Sequence, residues 1–217
     1  MTKPVFATVI FDVDSTVSGI EGVDWLAARR NAEIAREVAA VTDKAMRGEI
    51  ALEQVYGERL ELVRPTREDV DALAKAYIAA IAPGAQDVIR ALRGAGVTVK
   101  LVSGGLRPAI LPLAQQLGIG SEHLHAVDVS FDAAGCYVGY ETLSALTTSS
   151  GKGTLVESLR LPRPILAVGD GSTDLAMRPV VDRFVCFTGF VRRESVVEQA
   201  DASVGTFDEV RRLVLPS

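Results

Sequence analysis

A short apolar run that ends in two aspartates constrains the fold of this chain more than any other feature. Residues 5–11 are nearly all apolar and rich in β-branched and aromatic types, and Asp12 and Asp14 follow at once. This composition is typical of a strand that is buried on both faces, as in a parallel sheet. In open α/β sheets the carboxyl ends of the strands border the ligand crevice, so we expect both carboxylates to face a binding site.

The crowding of Asp12 and Asp14 predicts a bound cation. Two like charges this close repel one another and raise one pKa unless a cation holds them. Ligands that offer only oxygen favour Mg²⁺, so the motif predicts one magnesium ion at this strand end. A turn of the type Asp-x-Asp-Ser can also simply begin a helix, and the motif alone leaves that alternative open.

Composition and charge narrow the class of protein and of partner. The chain has 217 residues and is 48% hydrophobic, which is typical of a globular protein with a sizeable core. Its formal net charge of -5 argues against nucleic acid or an acidic membrane as a partner. No signal peptide, membrane span or metal-type cysteine spacing is evident. We expect a cytoplasmic protein, and the sequence leaves open whether it is a monomer or a homodimer.

The residue composition and the apolar pattern change twice along the chain. After Thr16, residues 21–81 are rich in Ala, Leu, Glu and Arg, with a helical apolar period and no strand pattern. Because this stretch is too long for one crossover helix, residues 17–82 are predicted to form an inserted helical cap. Helices and strands then alternate, which predicts a three-layer α/β core with a Rossmann-like parallel sheet, made of residues 1–16 and 83–217.

Two smaller predictions concern the second half of the chain. Residues 126–130 and 137–140 flank a Gly-containing turn, so they are predicted to pair as a hairpin. The charged run Arg192, Arg193 and Glu194 is predicted to be the solvated start of a helix.

Polar residues follow two further strand patterns, and we expect them to meet the first motif. Parallel strands bring their carboxyl ends to one edge of the sheet. Clustered carboxylates, a hydroxyl, glycines and a lysine suit phosphoryl transfer, in which the protein positions charged oxygens and neutralises developing charge. A carboxylate can act as the nucleophile through an aspartyl-phosphate, while Mg²⁺ shields its repulsion from the phosphate. The residues concerned are Ser103, Gly104 and Gly105, then Lys152, and then Asp170 and Asp174.

The order of these motifs resembles that of the haloacid dehalogenase superfamily of phosphatases. The four motifs of that superfamily match Asp-Val-Asp-Ser-Thr at 12–16, Ser-Gly-Gly at 103–105, the lone Lys152 and Gly-Asp-Gly-Ser-Thr-Asp at 169–174. The helical insertion after the first motif is similar to the smaller cap of that superfamily. Within the superfamily, the chain is most similar to the enzymes that act on phosphoserine, and the likeness covers nearly its whole length.

The resemblance implies a role for each matching residue. Asp12 is the expected nucleophile, and Asp14 is the expected general acid that protonates the leaving alkoxide and then activates water. Asp12, the backbone carbonyl of Asp14 and Asp170 are expected to bind Mg²⁺ directly. Asp174 is expected to support these ligands without binding the ion itself. The implied substrate-binding residues are Ser103, Gly104, Gly105, Lys152 and Thr173 around the phosphoryl group, and Glu21, Met46, Gly48 and Arg59 in the cap.

A physical argument for Glu21 and Arg59 stands beside the resemblance. A substrate with an ammonium and a carboxylate group needs one acid and one base in a dry pocket, and arginine binds a carboxylate through two parallel hydrogen bonds. Without the resemblance, both residues have the more ordinary interpretation of solvated helix charges.

Three functions are therefore compatible with the sequence. The favoured one is Mg²⁺-dependent hydrolysis of O-phospho-L-serine to L-serine and phosphate. The second is a phosphatase or phosphotransferase acting on another small phosphomonoester, a choice that depends on the cap. The third is a non-enzymatic phospho-acceptor similar to a response-regulator receiver, although a receiver is a much shorter chain and has no use for Asp14.

Overall fold

A parallel sheet forms the centre of the structure, a computed structural model in which residues 3–216 are described. Within those residues six strands form the sheet in the order β3-β2-β1-β6-β7-β8, and β4 and β5 form a separate antiparallel hairpin. The strands are β1 (Thr8–Phe11), β2 (Thr98–Leu106), β3 (Leu124–Val127), β4 (Val129–Phe131), β5 (Tyr137–Tyr140), β6 (Ile165–Gly169), β7 (Arg183–Phe187) and β8 (Ala202–Val204).

The strand β1 lies in the middle of the sheet, as its apolar composition predicts. It pairs in parallel with β2 on one side and with β6 on the other. All of its residues are buried, because helices cover both faces of the sheet at this point. The predicted α/β fold with a Rossmann-like parallel sheet is confirmed.

The helices fall into two groups, and the first group follows β1 without an intervening strand. Among the helices of residues 3–216, none combines the length and apolar character that a bilayer crossing requires. The helices are α1 (Gly22–Ala28), α2 (Ala32–Met46), α3 (Leu52–Val63), α4 (Arg67–Ala79), α5 (Ala85–Gly94), α6 (Arg107–Gln116), α7 (Gly151–Ser158), α8 (Ser172–Leu175), α9 (Glu194–Val197) and α10 (Phe207–Val214).

The segment from α1 to α4 begins and ends at neighbouring points. The backbone N–H of Gly19 donates to the carbonyl of Ala80, and that of Ala82 donates to the carbonyl of Val17, both at 2.9 Å. The helix α4 packs along α6, which follows β2. The boundaries of the predicted cap, 17–82, and of the predicted core stay predictions. Positions 1, 2 and 217 of that core lie outside the described residues.

The prediction of one strand over residues 126–130 is wrong. Leu124–Val127 is the edge strand β3, parallel to β2, whereas Val129–Phe131 is β4 and pairs with β5 around the predicted turn. The apolar residues on either side of Asp128 give one continuous pattern in the sequence. Only those before Asp128 are buried in the sheet, so the chain leaves the sheet there.

Candidate active site

The first motif lies at the carboxyl end of β1 and turns back sharply. The backbone N–H of Asp12 donates to the carbonyl of Val168 at 2.9 Å, which continues the pairing of β1 with β6. Ser15 has a φ of 52°, in the left-handed region that side chains rarely adopt. This turn lets the Ser15 hydroxyl donate to Glu21 at 2.7 Å, so Glu21 lies beside the two aspartates.

Lys152 joins the first motif to the last one. Its Nζ donates to Asp12 Oδ1 at 2.5 Å and to Asp174 Oδ1 at 2.6 Å, and all three side chains are buried. Burial and the neighbouring Asp174 raise the pKa of Asp12 well above its usual value. Although burial alone would lower it, the two carboxylates raise the pKa of Lys152 above its usual range. Lysine therefore stays charged between them.

Three carboxylates at the strand ends are close enough to hold one metal ion. Oxygen atoms of Asp12, Asp170 and Asp174 lie within 4.8 Å of one another, and all three residues are buried. A cluster of oxygen donors alone suits Mg²⁺ better than a softer metal, so these residues fit the predicted ion. The side chain of Asp14 is not part of this cluster, and the expected role of its backbone carbonyl as a ligand stays a prediction.

Arg193 is buried in the site, and the prediction that it is solvated is wrong. Only 7% of the residue is exposed, and its Nη1 donates to Asp170 Oδ2. Its Nη2 lies 3.6 Å from Glu21 Oε1, so its guanidinium lies between two acids of the site. The neighbouring Arg192 is half exposed and pairs with Glu194 at 2.7 Å, as expected. The local sequence does not distinguish the two arginines, because Asp170 is 23 positions away.

The side chain of Asp14 is held by three donors. Its Oδ1 accepts from the backbone N–H of Gly22 at 2.6 Å and from the hydroxyl of Tyr77 at 2.7 Å. Its Oδ2 accepts from the hydroxyl of Ser103 at 3.2 Å. Burial, and then the charge of Glu21, raises the pKa of Asp14 to about 6. A carboxyl group with this pKa can both give and take a proton near neutral pH.

Residues 103–105 lie inside β2 instead of following it. Ser103 is fully buried behind the pocket, where its Oγ also accepts from the N–H of Gly105 at 2.9 Å. A Cβ at position 105 would lie 3.0 Å from Asp14 Oδ2 and 2.9 Å from Ile110, so glycine is needed there. The carbonyl of Gly104 accepts from the hydroxyl of Tyr56 at 2.7 Å.

One pocket brings most of the predicted residues together. It is lined by side chains from the strand ends and from α1 to α3. Ser103 and Asp174 lie behind its wall, and Gly48, in the left-handed region, faces Ser172. The predicted site residues that line it are Asp12, Asp14, Glu21, Met46, Arg59, Gly104, Gly105, Lys152, Asp170 and Thr173.

The part of the pocket that α1 to α3 line, its helical end, contains a buried guanidinium. Arg59 is 6% exposed, and its Nη1 donates to the hydroxyl of Thr42 at 2.8 Å. Thr42 in turn donates to Asp24 Oδ1 at 2.6 Å. The Nε of Arg59 has no hydrogen-bond partner among residues 3–216. A buried guanidinium with spare donors is suited to bind an anion.

Sequence reasoning missed several residues that line the pocket. Most of them lie in α1 to α3, where the helical period indicates a buried face but does not distinguish the protein core from a pocket wall. The missed lining residues are Gly22, Val23, Asp24, Thr42, Leu52, Tyr56 and Leu146.

Comparison with known proteins gives consistent matches. A family described as haloacid dehalogenase-like hydrolase matches residues 9–178. The chloroplastic phosphoserine phosphatase of Arabidopsis thaliana is 34% identical over 207 residues, which cover 93% of this chain and 70% of that protein. The Homo sapiens phosphoserine phosphatase is 34% identical over 205 residues, covering 93% and 90%. A solved phospho-aspartyl intermediate analogue of phosphoserine phosphatase is 26% identical, with a TM-score of 0.79 and coverage of 97% and 98%.

Proposed function

We propose, from the premise that the chain belongs to the haloacid dehalogenase-like hydrolase family, that it hydrolyses O-phospho-L-serine to L-serine and phosphate. The observation that carries the proposal is that one pocket is lined both by Asp12 and Lys152 and by the buried Arg59 of α3. The similar phosphoserine phosphatases support it. Membership of this family argues against a non-enzymatic phospho-acceptor.

The first step of the proposed reaction transfers the phosphoryl group to Asp12. A carboxylate oxygen of Asp12 attacks phosphorus, and the bond from phosphorus to the serine oxygen breaks. Asp14 gives its proton to that oxygen, so L-serine leaves as a neutral alcohol. Lys152 lies 2.5 Å from Asp12, where its positive charge favours the negative phosphoryl oxygens.

The second step regenerates the enzyme. Asp14, now ionised, takes a proton from a water molecule as the water oxygen attacks phosphorus. The bond from phosphorus to Asp12 breaks, and phosphate leaves. The pKa of about 6 for Asp14 suits both roles near neutral pH.

The carboxylates of Asp12 and Asp170 and the carbonyl of Asp14 are the proposed ligands of Mg²⁺, with Asp174 behind them. When bound, the ion would offset the repulsion between the Asp12 carboxylate and the phosphate. The three carboxylates of the cluster are paired with two cations, Lys152 and Arg193. The excess negative charge favours the addition of a divalent cation.

The helical end of the pocket is the proposed site for the amino-acid part of the substrate. The Nε of Arg59, which has no partner among residues 3–216, is available to the carboxylate group, and Glu21, which lines the same pocket, can accept from the ammonium group. Burial raises the pKa of Glu21, and a bound ammonium would favour its charged form. Met46 closes the pocket from the side of α2.

A panel of phosphate esters tests this proposal. With Mg²⁺, kcat/KM for phosphoserine should exceed that for phosphoethanolamine, which lacks the carboxylate, by about 30-fold or more. EDTA should abolish turnover, and excess Mg²⁺ should restore it. Equal rates on the two esters would remove the reason to assign phosphoserine and favour another small phosphomonoester. A product that carries phosphate on an added alcohol would indicate a phosphotransferase.

A cytoplasmic location, a place in serine biosynthesis and a monomeric or homodimeric state stay predictions. The relatives include a plant protein that is named chloroplastic, so location varies among similar proteins.

A further inference from the structure

The buried hydroxyl of Tyr77 has a partner that core packing does not require. Tyr77 belongs to α4, is fully buried and follows the apolar period of that helix. A phenylalanine would fill the same apolar space, yet the Tyr77 hydroxyl donates to Asp14 Oδ1 at 2.7 Å. The predicted acid of the reaction is therefore held by a residue 63 positions later in the chain.

Glycine at position 22 makes this contact possible. A Cβ at that position would lie 2.1 Å from the Tyr77 hydroxyl oxygen and 3.3 Å from Asp14 Oδ1. Because Gly22 has no Cβ, its N–H can also approach Oδ1, to 2.6 Å. Two donors from different helices thus converge on one carboxylate oxygen.

The position of Tyr77 relative to Asp14 is fixed by the backbone around it. The Ser18 hydroxyl donates to the carbonyl of Tyr77 at 3.1 Å. Gly19 donates to the carbonyl of Ala80, so the segment after Asp14 runs beside the end of α4. The end of α4 that contains Tyr77 is therefore hydrogen-bonded to the residues that directly follow the first motif.

The two oxygens of Asp14 differ in the room they leave for a proton. Oδ1 accepts two short hydrogen bonds, which occupy both of its in-plane lone pairs. A proton on Oδ1 would point at one of these donors. Among the described residues, Oδ2 accepts the single, longer bond from Ser103, at 3.2 Å, which leaves one of its lone pairs without a donor.

We infer that Tyr77 is a positioning residue for the proposed reaction, and that it acts with Gly22 to hold Asp14 so that Oδ2 exchanges the proton with the leaving group and with water. This inference rests on the proposed function. Without the Tyr77 hydroxyl, the carboxyl group can rotate, and both of its oxygens compete for the proton. A misplaced acid harms a poor leaving group, such as the alkoxide of serine, far more than a good one.

The test compares phosphoserine with p-nitrophenyl phosphate, whose leaving group needs no acid. For Tyr77→Phe with Mg²⁺ present, kcat/KM on phosphoserine should fall about 10- to 100-fold. This quantity reports the transfer of the phosphoryl group to Asp12 and leaves out the later hydrolysis step, in which Asp14 acts as a base for both esters. The value of kcat/KM for p-nitrophenyl phosphate should stay within about threefold of wild type. In an Asp14→Asn background, Tyr77→Phe should have little further effect, because the group it positions is already gone.

Two variants separate positioning from general damage to the fold. Tyr137→Phe is the matched control, because Tyr137 is also buried but its hydroxyl has no partner among the described residues; it should leave both rates unchanged. Gly22→Ala displaces the Tyr77 hydroxyl without emptying the core, and should give the same selective loss. It serves as the test if Tyr77→Phe fails to fold.

Three outcomes would overturn the inference. They are equal losses of kcat/KM on both esters, no loss of kcat/KM on phosphoserine, and a full additional loss in the Asp14→Asn background. If the wild type hydrolyses p-nitrophenyl phosphate but not phosphoserine, the proposed substrate fails on its own. The comparison is then made with whichever alkyl phosphate the enzyme hydrolyses. A wild type with no turnover of any ester would overturn both proposals.

Discussion

The two ends of the pocket differ in how their charges are balanced. At the strand ends, Asp12 and Asp174 share Lys152, and Asp170 pairs with Arg193, so these three buried carboxylates have cationic partners. At the helical end, the guanidinium of Arg59 donates to a hydroxyl, and its Nε has no partner among the described residues. An unpaired buried charge is costly, so such a group is better explained by an anionic ligand than by stability.

This difference separates two tasks. In the proposed function, the strand ends bind the phosphoryl group, which every phosphate ester contains, and their residues contact one another even without it. The helical end is proposed to bind the variable part of the substrate, with Arg59 pairing with its carboxylate. Substitutions of Asp12 and Lys152, which are proposed to contact the phosphoryl group, should therefore affect all esters alike, whereas substitutions at the helical end should affect only esters with the matching group.

The largest expected effect comes from Asp12→Asn. An amide neither attacks phosphorus nor binds Mg²⁺ well, so kcat should fall on the order of 10³-fold or more on phosphoserine and on p-nitrophenyl phosphate alike. Steady-state rates on both esters measure this. Asp87→Asn, at an exposed aspartate in α5 that pairs with Arg90, is the control and should keep full activity. Residual activity within about tenfold of wild type would contradict the nucleophile assignment.

Arg59→Ala should distinguish the two ends most sharply. If Arg59 pairs with the substrate carboxylate, its loss costs about 2–5 kcal/mol, or roughly 30-fold to several-thousand-fold in kcat/KM for phosphoserine. The rate on p-nitrophenyl phosphate, which has no carboxylate, should change little. Arg59→Lys should recover only part of the loss, because an ammonium lacks the planar fork. The measurement is the ratio of the two kcat/KM values. An unchanged ratio would indicate that Arg59 has a structural role and does not bind the substrate carboxylate.

Arg193→Ala tests whether the strand-end charges depend on one another. The variant leaves Asp170 buried without its guanidinium, so without metal the free energy of unfolding should fall by about 3 kcal/mol. The proposed Mg²⁺ would bind the folded state and offset the charge of Asp170, so the metal should raise Tm more in the variant than in wild type. Thermal unfolding with and without Mg²⁺ measures both effects.

Arg192→Ala is the matched control for that measurement. Arg192 is adjacent and pairs only at the surface, with Glu194, so its loss should cost less than about 1 kcal/mol. Equal destabilisation by the two variants would mean that the contact of Arg193 with Asp170 carries no stability.

The strand-end residues could be predicted from the sequence more readily than the residues of the helical end. Each strand-end motif is contiguous: Asp12 and Asp14 follow one apolar run, and Asp170 and Asp174 follow another. The parallel sheet then brings these runs together, because strand order in such folds allows few alternatives. The α/β fold and the carboxylate cluster were therefore predictable from local patterns.

The remaining site residues depend on contacts that no local pattern encodes. Tyr77 occupies a regular position in the apolar period of α4, and only the packing of that helix brings its hydroxyl to Asp14. Arg193 has the same local surroundings as Arg192 but turns inward to Asp170. Thr42 joins Asp24 to Arg59 across three helices. Such residues can be recognised only once the packing of the helices is known.

The smallest expected effect concerns the stability of the helical segment apart from its chemistry. Thr66 begins α4 with a capping box: its Oγ1 accepts from the N–H of Asp69 at 3.2 Å, and its own N–H donates to Asp69 at 3.0 Å. Thr66→Ala should lower the free energy of unfolding by about 1 kcal/mol. Thr66→Ser keeps the hydroxyl and should lose much less. Denaturant midpoints with an unchanged slope measure this difference.

Catalysis should not follow that loss of stability. Tyr77 lies 11 residues further along α4, roughly 16 Å from the cap at the usual helical rise, and its carbonyl is held independently by Ser18. Loosening the start of α4 therefore leaves the end that contacts Asp14 in place. For Thr66→Ala, kcat/KM should stay within about twofold of wild type on phosphoserine and on p-nitrophenyl phosphate. A loss on phosphoserine alone would mean that the start of α4 also helps to position Asp14, so that the helix acts as one rigid unit in catalysis.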